Sequence, residues 1–377
     1  MISILALSFS SLQKAIKQQN IKDQLSEDEN QQKKNQQEAP QPKPLKSWEI
    51  RRLQQQNKDD FVCRNKQNET IIKQPGSLNG LQYKIESCTN SEIYVLDHST
   101  TIFVDDCTNC KIFIGPCKAS VFVRDCKNCE MVIACQQYRS RDCENIKTLL
   151  YCQSQPVIES CKDMQFGCFY FAYPQLSQQF KDCGINPWTN NWSDIYDFTK
   201  NPNGVLNYSY LPEDEIEIIP YACEKLNSLC SREYCEERQN LCVPITKGLR
   251  LNANELSNSS IIMVYPEATS KMVGSLASIF NQRNDIQIIR TLQCKLLNDS
   301  RQDLIFSLEE KSTIFSQHDF SESVLFIQLQ GENLKQALDD IFGKYSNQYY
   351  LWNKANTSIT KISKIIFENW EDERKPN

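Results

Sequence analysis

The chain has 377 residues, long enough for two domains, and its 42 basic against 47 acidic side chains leave a formal net charge of −5. That balance speaks against a nucleic-acid or membrane binder that works through bulk charge, and no run reaches the ~18–20 apolar residues of a spanning helix. The 18 cysteines fall short of the ~8–10% of a small disulfide scaffold. With no basic n-region or small-residue cleavage site at the start, a reducing, cytoplasmic setting is expected.

Met1 to Leu12 is short and apolar and is followed by Lys14 and Lys17, which reads as a buried or membrane-brushing helix. From about Lys14 to Gln56, Gln, Lys, Asn and Glu dominate. Too little apolar surface is present there to offset the entropy of ordering, so residues 1–45 are expected to be a disordered N-terminal segment.

Next come five copies of Cys-x-Asn/Asp, at Cys88, Cys107, Cys126, Cys143 and Cys161, with intervals of 19, 19, 17 and 18 residues. The fifth position after each is Ile93, Ile112, Met131, Thr148 or Phe166, and the seventh is Val95, Ile114, Ile133, Leu150 or Cys168. Apolar positions two apart belong to a strand with one buried face, and a fixed short period means stacked units. So short a coil cannot hold two helices but suits three short strands. The spacing therefore predicts a parallel β-helix over residues from about 75 to 170, opened by the turn Gln74-Pro-Gly-Ser77, with the cysteines in an internal ladder. Cys107-x-x-Cys110 and Cys126-x-x-Cys129 imitate a zinc ribbon. Both fall in phase with a repeat whose other copies keep only the first cysteine, so no metal is assigned. Phe169-Tyr-Phe-Ala-Tyr-Pro and Asn191 to Phe198 are aromatic and read as a cap over the last coil, with a share in partner binding.

A charged connector, residues 216–257, follows and carries Cys223, Cys230, Cys235 and Cys242 at spacings that match no metal pattern. Beyond it, Ser260 to Tyr265, Ile286 to Leu292 and Val324 to Leu329 read as strands. Met272 to Phe280, Leu296 to Leu308 and Leu334 to Phe342 read as helices, which makes 258–377 a compact α/β domain.

One polar string interrupts the repeat, Gln136-Gln-Tyr-Arg-Ser-Arg-Asp142. Alternation puts Gln137, Arg139 and Arg141 on one strand face and Gln136, Tyr138 and Ser140 on the other. Two guanidinium groups on a rigid element suit an anion that develops charge. Gln together with Arg is the pair that orients water and neutralises the γ-phosphate in GTP hydrolysis.

The segments Asp105-Asp-Cys-Thr-Asn-Cys110, Ser120-Val-Phe-Val-Arg-Asp-Cys126, Cys135-Gln-Gln-Tyr-Arg-Ser-Arg-Asp-Cys143, Gln155-Pro-Val-Ile-Glu-Ser160 and Trp192-Ser-Asp-Ile-Tyr-Asp-Phe198 closely resemble the tubulin-binding cofactor C / C-CAP domain family. Within it they resemble the X-linked retinitis pigmentosa branch. The resemblance covers residues 46–215 and implies a right-handed parallel β-helix. It also implies a GTPase-activating protein for an Arf-like small GTPase that handles lipidated ciliary cargo. By matching motif positions, Arg139 would be the arginine finger and Gln137 its catalytic partner. Arg141, Glu159 and Gln136 would hold the GTPase, and Phe198 would be an apolar anchor. No cofactor of its own is implied, since GTP and Mg²⁺ belong to the partner. The family's following domain is ferredoxin-like and resembles nucleoside diphosphate kinase. His98 and His318, the only histidines, do not stand in the kinase context, so that domain is expected to be inactive. Family members commonly begin Met-Gly-Cys, whereas Ile2 follows Met1 here. N-myristoylation is therefore not expected, and placement at the ciliary base or membrane periphery would need another anchor. The competing expectations are a non-catalytic scaffold and a tubulin-folding regulator with tubulin as client.

Overall fold

Each coil is closed by two residues in the left-handed region, three positions apart in a single turn. In the computed structural model, which describes residues 58–199, 203–212, 231, 234, 237–250, 253–296, 319–343, 348–353 and 358–367, these pairs are Asn65/Asn68, Ser87/Asn90, Asp106/Asn109, Asp125/Asn128, Asp142/Asn145 and Ser160/Asp163, all with φ between 50° and 55°. Asn and Asp tolerate this conformation because their short polar side chains bond locally, whereas β-branched residues do not. The repeat Cys-x-Asn/Asp is thus the inside of a left-handed corner. Its cysteine points inward, and the thiols of Cys88, Cys107, Cys126, Cys143 and Cys161 donate to the carbonyl two residues back at 3.2–3.4 Å. A small hydrophobe with one weak donor satisfies both demands of the position.

The strands are β1 (Val62–Arg64), β2 (Thr70–Lys73), β3 (Tyr83–Glu86), β4 (Glu92–Val95), β5 (Ile102–Asp105), β6 (Lys111–Arg124), β7 (Lys127–Arg141), β8 (Glu144–Cys152), β9 (Val157–Glu159), β10 (Lys162–Cys168), β11 (Tyr196–Asp197) and β12 (Tyr208–Tyr210). They form one 12-stranded parallel solenoid. One face runs β1, β3, β5, the ends of β6 and β7, β9 and β11. The other runs β2, β4, the starts of β6 and β7, β8, β10 and β12. Two faces per coil, not the expected three, carry extended ladders. The third side shrinks to a corner of single rungs, Ser99 to Cys117 and Cys117 to Cys135, continued by Cys135 to Cys152 at the end of the β7–β8 ladder, and β6 and β7 pass around it unbroken. There burial pushes the thiols of Cys117 and Cys135 up, keeping them neutral.

The solenoid also begins one coil earlier than the cysteines suggest. Gln67 pairs with Thr89, so Lys66 occupies the place of Cys88 between the left-handed Asn65 and Asn68. The turn Gln74 to Ser77 therefore links two coils and does not open the first. It is held by the buried Asp97, whose carboxylate accepts the N–H groups of Leu78 and Asn79 at 2.7 Å and of His98 at 2.9 Å. Burial disfavours the ionised form, but these backbone donors outweigh it and hold the carboxyl below its usual range. A lowered folded pKa contributes stability above the unfolded value of about 4 and loses it as pH falls through the folded value. Asp97→Asn is expected to cost about 2 kcal/mol at pH 7 and progressively less below pH 4, read from urea denaturation at several pH values.

The aromatic segment after the repeat covers a side of the solenoid, not its end. Residues 169–173 and helix α1 (Leu176–Cys183) pack on the outer surface of the second face, where Phe113, Val132, Leu149 and Tyr151 meet Phe169, Phe171, Tyr173 and Phe180. Phe113 and Phe171 lie 4.4 Å apart. The end is closed by Trp192 and Ile195, which join the solenoid's interior cluster. Strand alternation shows only that outward apolar residues need a cover, and either arrangement meets that need.

Further along the chain are α2 (Ala253–Ser257), β13 (Ser260–Val264), α3 (Pro266–Asn281), β14 (Ile286–Lys295), β15 (Ser323–Gly331), α4 (Leu334–Phe342), β16 (Tyr349–Trp352) and α5 (Ile359–Phe367). The sheet order β14-β15-β13-β16 is antiparallel throughout. α3 and α4 cover one face and α5 the other. A buried knot at Gln328, bonded to Ser259, Arg290 and Ser363 at 2.8 Å each, ties α5 to the sheet. The sequence reading stopped short of β16 and α5. Trp188 donates to the Val273 carbonyl at 3.0 Å and accepts from the Thr291 hydroxyl at 2.7 Å, which docks the segment after α1 onto this α/β layer. The N-terminal segment 1–45, His318, Cys223, Cys230, Cys235 and most of the expected helix Leu296 to Leu308 lie outside the described residues.

Candidate functional site

With its second face covered by the chain itself, the solenoid leaves the outer surface of the first face open. Inward residues of this face are Ile85, Val104, Val123, Ser140 and Ile158, all buried. The residues between them point out, and parallel pairing stacks them in two columns. One column is Lys84, Phe103, Phe122, Arg139, Val157 and Tyr196. The other is Arg64, Glu86, Asp105, Arg124, Arg141 and Glu159. Rungs are about 4.8 Å apart, so neighbours in a column touch.

The charged column is self-neutralised over its first half. Glu86 takes Arg64 at 2.9 Å and also Lys84, and Asp105 binds Arg124 through two parallel bonds of 2.8 and 2.9 Å. That pair pushes the Arg124 pKa further up, and the guanidinium lies 5.4 Å from the centroid of Phe103, itself stacked on Phe122 at 5.2 Å. The pattern then stops. Arg139 is exposed and has neither an ion pair nor a hydrogen-bond acceptor among the described residues. Among the described residues Arg141 has only the exposed Asp142, at 3.1 Å, a contact worth little in water.

Gln137 lies half-buried on the same strand, its side-chain carbonyl accepting the Ser120 hydroxyl at 3.0 Å. Glu159 pairs across from Arg141, and Phe198 follows on the next rung, its N–H bonded to the Ile158 carbonyl at 2.8 Å. Five sequence-derived residues, Gln137, Arg139, Arg141, Glu159 and Phe198, are thus brought to one surface. Gln136 departs from the expectation of strict alternation. It is exposed, not inward with Tyr138 and Ser140, because the chain is still rounding the corner. The register against β6 shifts between Cys117/Cys135 and Ser120/Gln137, so alternation restarts only at Gln137.

Directly beneath this surface, Tyr138 fills the coil and meets Phe166 edge-on at 5.9 Å. Among the described residues, its hydroxyl and that of Thr148 are buried without a hydrogen-bond partner, and burial holds the phenol neutral by pushing its pKa up. An orphan buried hydroxyl is unfavourable. Tyr138→Phe is therefore expected to raise stability by about 1 kcal/mol while leaving the outward row in place, measured as a higher urea midpoint at unchanged slope.

The apolar column beside Arg139, from Phe103 to Tyr196, escaped the sequence reading. Its signal was present: the fourth position before each repeat cysteine is Lys84, Phe103, Phe122, Arg139 or Val157, and the second before is always charged. The zinc-like spacing likewise resolves into two interior rows in consecutive coils, with Cys107 and Cys126 in one and Cys110 and Cys129 in the other, all at most 1% exposed.

A family model described as "Tubulin binding cofactor C" matches residues 80–198. "Protein XRP2" of Danio rerio is 46% identical over 213 residues, 56% of this chain and 56% of that protein, so the chain spans little more than half of that relative. "Protein XRP2" of Xenopus laevis is 38% identical over 273 residues, 70% of this chain and 76% of that one. Among solved structures, "Tubulin Binding Cofactor C from Leishmania major" aligns with a TM-score of 0.31 and 21% identity over 41% of this chain and 90% of that one.

Proposed function

Because the chain belongs to the tubulin binding cofactor C family, on its XRP2 side, we propose that it is a GTPase-activating protein for an Arf-like small GTPase. It would act in trans on the GTP-bound state. The observation that carries this reading is Arg139, an uncommitted guanidinium on a rigid strand with Gln137 two residues before it. In such a step Arg139 donates to the oxygens around the transferred γ-phosphoryl group as charge builds on them. Gln137, whose carbonyl already accepts from Ser120, offers its amide N–H groups to the same oxygens or to the attacking water. Arg141 and Glu159 make charged contacts around them, joined by the exposed Gln136, and Phe198 anchors an apolar patch. GTP and Mg²⁺ come with the partner.

Among the described residues after the solenoid the elements run β13-α3-β14-β15-α4-β16, which supports reading them as ferredoxin-like and nucleoside diphosphate kinase-like without phosphotransfer, and we take the solenoid to be right-handed. A role in releasing lipidated cargo near a ciliary base follows from the GTPase reading. Tubulin is the second client to test, since the matching family model carries its name.

The test is single-turnover hydrolysis by a GTP-loaded Arf-like GTPase, and separately by tubulin, with and without this protein. Stimulation of the Arf-like GTPase supports the reading. GTP-dependent binding with no acceleration of either would overturn it in favour of a scaffold.

A further inference from the structure

The largest exposed apolar feature beside Arg139 includes three residues, Tyr196, Val205 and Leu206, that the proposed mechanism leaves unused. Phe198, Val205, Leu206 and Tyr196 are 67, 63, 61 and 45% exposed, and hydrogen bonds between their sequence neighbours bring the two segments that carry them together at one edge of the open face. Tyr196 and Phe198 sit ring to ring at 6.2 Å. The chain carrying Val205 and Leu206 is held against them by the next residue, Asn207, whose side-chain amide donates to the Asp197 carboxylate at 2.8 Å and to the Thr199 carbonyl at 2.9 Å. Thr199 is fixed in turn by the N–H of Ser160 at 3.0 Å, and β12 starts immediately afterwards at Tyr208. The result is a firm apolar lip on a solenoid edge.

Single exposed apolar residues need no explanation, but four gathered in one place mark an interaction surface. We infer that Val205 and Leu206, with Tyr196 and Phe198, seat an apolar surface of the same GTPase that receives Arg139, and that this lip sets affinity while Arg139 sets rate. The inference rests on the proposed function. Continuity favours this occupant: Arg139 pairs with Val157 and Val157 with Tyr196, so the lip begins two rungs, about 10 Å, from the finger. Arg141 and Glu159 border it, which gives the apolar centre and charged rim of a protein interface. A lipid surface is less suited, because the nearest charged neighbour along the column is the Glu159 carboxylate, not a run of lysines.

The test compares the full-length chain, a Val205→Ser/Leu206→Ser double variant and Arg139→Ala. Titration calorimetry with the GTPase bound to a non-hydrolysable GTP analogue gives affinity, and single-turnover hydrolysis at saturating protein gives rate. Both substituted residues are exposed, so the melting temperature of the double variant should be unchanged. Its Kd is expected to rise at least tenfold with the saturating rate within twofold of the parent, whereas Arg139→Ala loses rate and keeps affinity. A parental Kd in the double variant, with Arg139→Ala still inactive, overturns the lip while leaving the function standing. The lip is equally overturned if the double variant keeps its Kd but loses sedimentation with phosphatidylserine vesicles or changes its mass in solution, outcomes that assign the surface to lipid or to a second copy. If the parent chain itself neither binds nor accelerates the GTPase, the functional reading fails first.

Discussion

Arg139→Ala is expected to lower the single-turnover rate of GTP hydrolysis on the partner by ~10³–10⁵ relative to the parent protein, which corresponds to about 4–7 kcal/mol of barrier. The size follows from what the side chain is free to do. Its neighbour in the next column, Arg124, spends both arms of its guanidinium on Asp105, and removing Arg124 would act through the solenoid's own ion pairs. Arg139 holds no carboxylate among the described residues, so it would reach the proposed partner with its charge unshared. For the same reason its loss should change folding stability by no more than about 0.5 kcal/mol, and affinity for the GTP-bound partner should persist through the surrounding contacts. Arg139→Lys should recover only a small part of the rate, because an ammonium is a point charge without the planar fork that spans two oxygens. Stopped-flow or quench-flow hydrolysis reads the effect directly. An alanine variant that stimulates as well as the parent would remove Arg139 from the chemistry.

The residues of this site were legible in the sequence because a solenoid converts spacing into position. Once Cys126 and Cys143 are known to stack, everything at equal distance before them stacks too, and Arg139 must lie over Phe122 and under Val157. Legibility failed wherever the chain left that metre. Lys66 took a cysteine's place because the left-handed residues on either side, Asn65 and Asn68, and not the cysteine, define the corner; the first coil was missed for that reason. Gln136 was assigned inward because alternation was carried through a corner where the register shifts. The aromatic run from Phe169 to Tyr173 was identified as a cover, but only long-range packing against Phe113 and Tyr151 decides that it lies along the side. Val205 and Leu206 fall outside the repeat altogether. Their exposure depends on the anchoring of Asn207 by Asp197, a contact between chain segments that no local pattern encodes.

The end of the solenoid that Trp192 closes is where a single substitution should do most damage to the fold. Trp192 is fully buried in the interior cluster of the last coil. Its indole N–H donates to the Thr246 hydroxyl at 2.8 Å, Tyr210 meets it edge-on at 5.7 Å, and the Arg250 guanidinium lies 4.9 Å from its centroid. Gly248 fits against it so closely that an added Cβ would come within 2.8 Å of the ring and 2.3 Å of the Ser193 hydroxyl. Trp192→Ala is expected to cost about 3–5 kcal/mol, the range for emptying a large aromatic site that cannot collapse, measured by urea denaturation. Stacked coils depend on their nearest neighbours, so the loss should start at β11 and β9 and pass to β7, which carries Gln137 and Arg139. The functional consequence is a stimulation that is near parental in the cold and declines on warming ahead of the parent, a temperature dependence that Arg139→Ala, inactive at every temperature, would not show. A cost below about 1 kcal/mol would mean that Ile195 and Tyr210 close the end without the indole.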